Sequence, residues 1–314
     1  MDKITILHDV YNNDSRDLVE SNFRKIFKNW GNVLDDSLLY TLCMDEKLKP
    51  TLEYNKRMRP FLVWLSSNAA GLQRSDVFWE LSTVVELIHQ CTLPADDIQD
   101  DSEFRCWRLA LWKKVWTGTA INLILLLALS WWIYYAKISS WDNTWNLHNY
   151  SDFLFTTAFN LVYWQQLDLS ANDDLRSIKD YYNIVDGKTW ALINLSLHFW
   201  TMPYQELYTE EKSQALTKFS MIFARLYQIM DDVKDIKDVE DWKEWAKLDS
   251  SNIYFYLIKN HVNLSKLYGD LKKWLIRTHN KLKKLWVVKY DYLLDLVKVL
   301  LPEEKFKFNI NKIE

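Results

Sequence analysis

Apolar residues recur at the helical spacing i, i+3, i+4, i+7 in stretches of this 314-residue chain near 17–29, 34–47, 54–70, 75–101, 107–136, 151–170, 173–200, 209–236, 253–279 and 282–300. No segment alternates with period two for long, so strands are not expected. Polar or helix-breaking clusters separate the stretches at Leu48-Lys49-Pro50, Gly71-Leu72-Gln73, Ser139 to Asn149, Ala171 to Asp174, Met202-Pro203 and the charged run Ile236 to Ser251. Asn172-Asp173 and Ser250 have the chemistry of helix N-caps. With no internal repeat, linker or low-complexity tract, residues 1–314 are expected to form one all-α domain of about ten helices.

One stretch, Thr119 to Ala136, is almost wholly apolar and close to the length of a membrane span. It is slightly short, carries Asn122 and Ser130, and begins 18 positions after Asp101. A central helix buried on every side is therefore expected in preference to a transmembrane segment.

Composition narrows the class further. Five glycines and five prolines in 314 residues compare with roughly 12% of an average protein. Nucleotide-binding folds need glycine in their phosphate loops, and neither G-x-G-x-x-G nor G-x-x-x-x-G-K-[ST] occurs. Tryptophan (17), tyrosine (17) and phenylalanine (14) are abundant, so an interior chamber would have aromatic walls. A net charge of −3 argues against a nucleic-acid partner. Cys43, Cys91 and Cys106 show no paired or metal-type spacing, and Met1 to Asn12 lacks a cationic start followed by an apolar run. A cytoplasmic protein without a signal peptide is the resulting expectation.

The candidate chemistry lies in two acidic clusters. Asp96-Asp97-Ile98-Gln99-Asp100-Asp101 follows the apolar run Val84 to Leu93, and Asp231-Asp232-Val233-Lys234-Asp235 follows Phe219 to Met230. If each continues its helix, Asp96 and Asp100 share one face, as do Asp231 and Asp235. Like charges so close repel and need cations. Carboxylate oxygens suit Mg²⁺, which keeps several waters and bridges to substrate phosphates in preference to an all-protein cage. Two such clusters, each ending an apolar helix, describe a diphosphate clamped by metals above an apolar shaft.

These motifs resemble those of the trans-isoprenyl diphosphate synthases, the polyprenyl synthetases of the class I isoprenoid synthase fold, over residues 50 to 260 or so. The resemblance implies a helical bundle around a central apolar cavity. It also implies three Mg²⁺ on an allylic prenyl diphosphate, with Asp96, Asp97 and Asp100 as one set of ligands and Asp231 with Asp235 as the other. Tyr227-Gln228-Ile229-Met230-Asp231-Asp232 looks like the family's F-Q-I-x-D-D, which brings in Gln228. Gly187-Lys188-Thr189 looks like its K-T pair, whose lysine, Lys188 here, touches the allylic diphosphate. Gln165 and Asp168 resemble the Q-x-x-D that lines the chamber. The second substrate, isopentenyl diphosphate, is held in the family by G-K-R-x-R-P, a His or Gln seven positions before the first Asp motif, and an R-R-G after it. Asn55-Lys56-Arg57-Met58-Arg59-Pro60 and His89 match the first two, so Lys56, Arg59 and His89 are candidates. A homodimer is implied as well.

Departures from the pattern are informative. R-R-G reads Arg105-Cys106-Trp107, which keeps the arginine facing the allylic diphosphate and loses the other, with Arg108 a potential substitute. The family's Gly-Asp becomes apolar near Ile124-Leu125, and the Gly-Gly before Gln165 becomes Tyr163-Trp164, which is expected to narrow the chamber. The lysine loop becomes Asp241 to Lys247, leaving Lys243 or Lys247 in its place. Thr92 and Cys91 occupy the positions four and five before the first motif, where aromatic residues in the family stop product growth. Both are small, so a shaft for about twenty carbons is expected. Chain elongation leads. A terpene synthase that cyclises or hydrates a C15–C20 allylic diphosphate is the main alternative. Less favoured are transfer to a peptide, on the likeness of Ala110-Leu111-Trp112-Lys113-Lys114 to an A-L-W-x-K stretch, and a non-catalytic synthase subunit.

Overall fold

Helix capping and packing set the architecture of the computed structural model, which describes residues 17–27, 35–43, 57–70, 76–105, 108–141, 151–170, 177–199, 201, 209–241 and 252–285. The helices are α1 (Asp17–Phe27), α2 (Asp35–Leu42), α3 (Met58–Ala69), α4 (Asp76–Gln99), α5 (Leu111–Lys114), α6 (Thr117–Trp141), α7 (Ser151–Leu169), α8 (Ile178–Val185), α9 (Ala191–His198), α10 (Glu210–Glu240), α11 (Ile253–Lys259) and α12 (Leu264–Leu285). Two elements depart from this pattern. A two-residue antiparallel hairpin, β1 (Phe104–Arg105) and β2 (Arg108–Leu109), interrupts the expected 107–136 helix, and a π-helical turn, Asp186–Trp190, joins α8 to α9.

Helix starts are set by side chains. The expected caps Asn172-Asp173 and Ser250 lie outside the described residues. Ser177 caps α8 in a reciprocal box with Asp180, and Asn252 caps α11 by accepting from the Tyr254 amide. The expected 253–279 helix is split, because His261 takes a left-handed backbone (φ 51°) just after Asn260 has ended α11.

α4 is the central strut. It packs along α6 and also against α3 and α1, burying Leu81, Val84, Val85 and Leu87 completely. α10, 31 residues and about 46 Å long, packs on α12, α9 and the π-turn.

α6 corrects one expectation. Its Ala120, Leu123, Leu127, Trp131, Tyr134 and Ile138 form a buried seam, but Ile121, Leu125, Leu129, Trp132 and Ile133 on the other side are exposed. Thr117–Ser139 is long and apolar enough to cross a membrane, and 39% of its most apolar window is buried. The outer stripe continues onto α7, where Phe155, Phe159, Val162 and Tyr163 are exposed and Phe155 packs 4.6 Å from Trp132, ring centre to ring centre. The helix is apolar all round, yet only one side faces the core.

Candidate active site

The first acidic cluster ends α4. The Asp100 amide still bonds the Asp96 carbonyl at 2.8 Å, and Asp101 then turns left-handed (φ 50°) to stop the helix. Asp96 and Asp100 are thus one turn apart on one face. Asp97, expected beside them as a metal ligand, is committed elsewhere. It is buried, and Arg105 Nε donates to both its oxygens at 3.0 and 2.8 Å, while Arg105 Nη2 donates to the Leu93 carbonyl. Burial pushes the Asp97 carboxyl upward and Arg105 opposes that shift. Asp97 therefore orients Arg105. Adjacent helical residues diverge by about 100°, so the two side chains of a D-D pair leave the helix in different directions.

α10 repeats the division of labour. Asp231 and Asp235 are exposed and one turn apart, whereas Asp232 points into the fold. Its carboxylate accepts from Tyr181 Oη (2.8 Å), Gln228 Nε2 (2.8 Å) and the Ile253 amide (2.9 Å). Burial pushes Asp232 up to about 7, against those three hydrogen bonds. No local sequence motif marks Tyr181. Among the described residues, no three His, Cys, Asp or Glu side chains group closely enough to hold a metal by themselves. Each cluster instead presents a pair of carboxylates, the donor set that suits Mg²⁺ shared with phosphate oxygens.

The raised Asp232 value has a measurable consequence. Its folded pKa lies above the unfolded value near 4, so between those limits the folded state holds the extra proton and wild-type stability declines as pH rises towards 7. Asp232→Asn has no such proton to lose. The melting temperature of the variant relative to wild type is expected to climb from pH 5 to 7.5; a constant difference would contradict the assignment.

Between the clusters lies the π-turn, as is common where a helix carries function. Lys188 Nζ donates to Asp168 Oδ2 of α7 at 3.1 Å. Burial opposes its charge, but Asp96, Asp168 and Asp100 outweigh that and raise its pKa. Thr189 Oγ1 donates to Gln228 Oε1 at 2.6 Å, so Thr189, Gln228 and Asp232 form one chain. Gln165 is buried with neither amide atom bonded, and Asp168 Oδ1 and Arg59 Nε are likewise buried without a hydrogen bond. Such orphaned atoms are rare in a finished core. They fit a chamber completed by a charged guest, and the carboxylate pairs fit Mg²⁺.

Basic side chains cluster near His89. His89 is held well below its ordinary pKa by burial and then by the charges of Arg59, Arg105 and Arg57, so the imidazole is neutral beside guanidinium groups. Burial and Asp231 raise the Tyr227 pKa while Arg59 lowers it, which puts the Arg59 charge within range of α10. Lys56, Cys106, Lys243 and Lys247 lie outside the described residues. Arg57, part of the basic motif, is not in the chamber. It is 2% exposed and clamped by Glu20 (2.7 Å), Glu86 (2.9 Å) and the Leu42 carbonyl (3.1 Å), with its guanidinium 4.8 Å from the Phe23 ring centre. Arg108 pairs with Arg105 across the hairpin, but its Nη2 lies 2.9 Å from Cys43 Sγ and its guanidinium 4.2 Å from the Tyr40 ring centre. Ala110 to Lys114 is built around Trp112, whose indole N–H bonds the Ser102 carbonyl (2.8 Å) and buttresses the end of the first cluster.

Below Asp96, Cys91 Sγ donates to the Ile88 carbonyl and Thr92 Oγ1 to the His89 carbonyl, while Ile88 and Leu87 beneath them are buried. Burial pushes the Cys91 thiol up to about 12, so it stays protonated. The expected narrowing by Tyr163 is corrected: Tyr163 is exposed and stacks on Phe159 along the outer stripe. Trp164 packs on Gly187, where a Cβ would fall 1.9 Å from the indole, so only glycine fits.

Comparison with known proteins accords with this arrangement. A family model for polyprenyl synthetases matches residues 44–246. An all-trans-nonaprenyl-diphosphate synthase of Rhodobacter capsulatus is 26% identical over 181 residues, which span 57% of this chain and about half (52%) of that relative's length. Among solved structures, a geranyltransferase from Legionella pneumophila superposes with a TM-score of 0.73 (17% identity, 96% of this chain and 98% of the other). A geranylgeranyl pyrophosphate synthetase from Geoglobus acetivorans gives 0.68 (20%, covering 93% and 99%), and a heptaprenyl diphosphate synthase from Staphylococcus aureus 0.69 (21%, covering 92% and 97%). With paired aspartates on two helices, a K-T turn between them, the same all-α fold and a family model matching more than half of the chain, this protein belongs to the polyprenyl synthetase family.

Proposed function

We propose that this protein is a trans-prenyltransferase that ionises an allylic prenyl diphosphate and condenses it with isopentenyl diphosphate, giving a trans-prenyl diphosphate of about twenty carbons. The observation that carries this reading is Lys188, which donates to Asp168 and feels the charge of Asp96 and Asp100, on a turn whose Thr189 is bonded to Gln228 of the second cluster's helix. Asp96, Asp100, Asp231 and Asp235 would hold three Mg²⁺, which when bound neutralise the diphosphate and turn it into a leaving group. Lys188 binds the same diphosphate and orients it. Arg105 faces the allylic diphosphate beside Lys188, while Arg59 and His89 bind the second diphosphate, and because His89 is neutral it does so as a hydrogen-bond donor. The isopentenyl double bond attacks the allylic carbon as the C–O bond breaks, and the proton then lost goes to the released diphosphate. We further propose one soluble cytoplasmic domain acting as a homodimer, with a second copy covering the exposed apolar face of α6 and α7.

A specific observation favours a second reading. Arg57 is withdrawn into the Glu20–Glu86 clamp, which thins the isopentenyl side. A terpene synthase acting on an allylic diphosphate alone would tolerate that loss. Incubation with geranyl, farnesyl and geranylgeranyl diphosphates, each with and without isopentenyl diphosphate, distinguishes the two. Elongated products only when isopentenyl diphosphate is added support the first reading; a hydrocarbon or alcohol from the allylic substrate alone would replace it.

Product length follows from the shaft beneath Asp96. A helix rises about 5.4 Å per turn, similar to the depth of one five-carbon unit, so Cys91 and Thr92 leave room that Ile88 and Leu87 close one turn lower. Cys91→Phe combined with Thr92→Phe is expected to shorten the product by at least one unit, as read by mass spectrometry. An unchanged product would mean that the chain does not run along this face of α4.

A further inference from the structure

We infer that Arg225 is a positioning residue for Lys188, acting through Asp186 at the back of the π-turn; this rests on the prenyltransferase reading above. Arg225 Nε and Nη2 donate to Asp186 Oδ1 and Oδ2 at 2.9 and 2.5 Å, a two-pronged pair that is largely buried, and the guanidinium lies 4.4 Å from the Tyr182 ring centre. A fork of this kind fixes direction as well as distance. Asp186 precedes Lys188 by two positions, and residues two apart on a helix point to nearly opposite sides. Pulling the Asp186 carboxylate towards α10 therefore turns Lys188 towards Asp168 and the first aspartate cluster.

Apart from the Lys188–Asp168 pair that is to be positioned, the remaining contacts of the turn leave Arg225 as its charged anchor. Thr189 bonds Gln228 and the Trp190 indole bonds Ser220 Oγ (2.9 Å), so three successive heights of α10 grip the turn. From α7, the indole of Trp164 presses on Gly187. The Thr189 and Trp190 contacts are neutral hydrogen bonds and the Trp164 contact is apolar. None of them resists rotation of the Lys188 side of the turn as a bidentate ion pair does. A π-helical turn is rare and occurs mostly at functional sites, and this pair ties it to α10.

The test is a double-mutant cycle read as binding as well as turnover. The variants are Arg225→Met, Lys188→Ala, their combination, and the swap Asp186→Arg with Arg225→Asp. For each, the dissociation constant for inorganic diphosphate with Mg²⁺ is measured by calorimetry, alongside KM for the allylic and isopentenyl substrates. Arg225→Met is expected to weaken diphosphate binding and raise the allylic KM about tenfold, leaving the isopentenyl KM within about twofold. In the Lys188→Ala background the same change should cost little, and the swap should restore most of the loss. Equal losses in both backgrounds, or unchanged binding in a folded Arg225→Met protein, would overturn the inference. Should Arg225→Met fail to fold, the swap decides: a folded swap that binds diphosphate no better than Lys188→Ala is equally contrary. Wild-type protein that binds diphosphate but transfers no prenyl group would sink the proposed function and leave this inference standing on the binding data.

Discussion

Asp231→Ala or Asp96→Ala should each lower turnover by about three orders of magnitude or more while leaving the melting temperature nearly unchanged. Each residue belongs to a pair of like charges one turn apart, and Asp231 and Asp235 are exposed. Such pairs repel, which offsets what each member gains from nearby cations such as Lys188 beside Asp96, so removing one costs the fold little. In the proposed reaction, what is lost is the electrostatic hold on a leaving diphosphate, on which ionisation would depend. Asp232→Ala is the internal contrast. That side chain is buried and accepts three hydrogen bonds, so its removal strands Tyr181, Gln228 and the Ile253 amide and should lower the melting temperature as well as activity. Steady-state kinetics with Mg²⁺, paired with thermal unfolding, checks both. Near-normal turnover in either Asp96→Ala or Asp231→Ala would remove the proposed function.

Arg57→Met is expected to have the largest effect on stability, about 3–5 kcal/mol, because it removes the guanidinium that both buried carboxylates, Glu20 and Glu86, share. Position in a basic motif suggests instead that Arg57 contacts a diphosphate, which predicts a raised KM with stability intact. Chemical denaturation separates the two outcomes. Replacing the whole cluster, Arg57→Met with Glu20→Leu and Glu86→Leu, should recover much of the loss, since buried charges are costly singly and dispensable together. A stable Arg57→Met protein whose only defect is substrate affinity would refute the structural role.

The contrast between Arg57 and Arg59 shows where reading a motif stops. Two arginines separated by one residue near the start of α3 look alike in sequence, yet one locks α1 to α4 and the other has its Nε buried unbonded beside the chamber. Their difference depends on Glu20 and Glu86, 37 and 29 positions away from Arg57. Tyr181 was invisible for the same reason, since it matters only by meeting Asp232 across 51 residues. Likewise, the apolar run of α6 could be recognised as a helix from its composition, but not as one with an open outer stripe.

By itself the sequence determined the helical class, the family resemblance and the i, i+4 spacing within each aspartate cluster. Helical periodicity and the i, i+4 spacing of carboxylates are local properties of a chain, and a helix makes neighbours of residues four apart wherever it lies. Tertiary structure alone decided which member of each Asp-Asp pair serves the fold, that Asp97 holds Arg105, that Tyr163 faces outward, and that Asp186 and Arg225 brace the turn bearing Lys188. Those assignments rest on contacts between helices distant along the chain. Which side chain meets which is set by how apolar faces pack, and the local pattern carries no record of it.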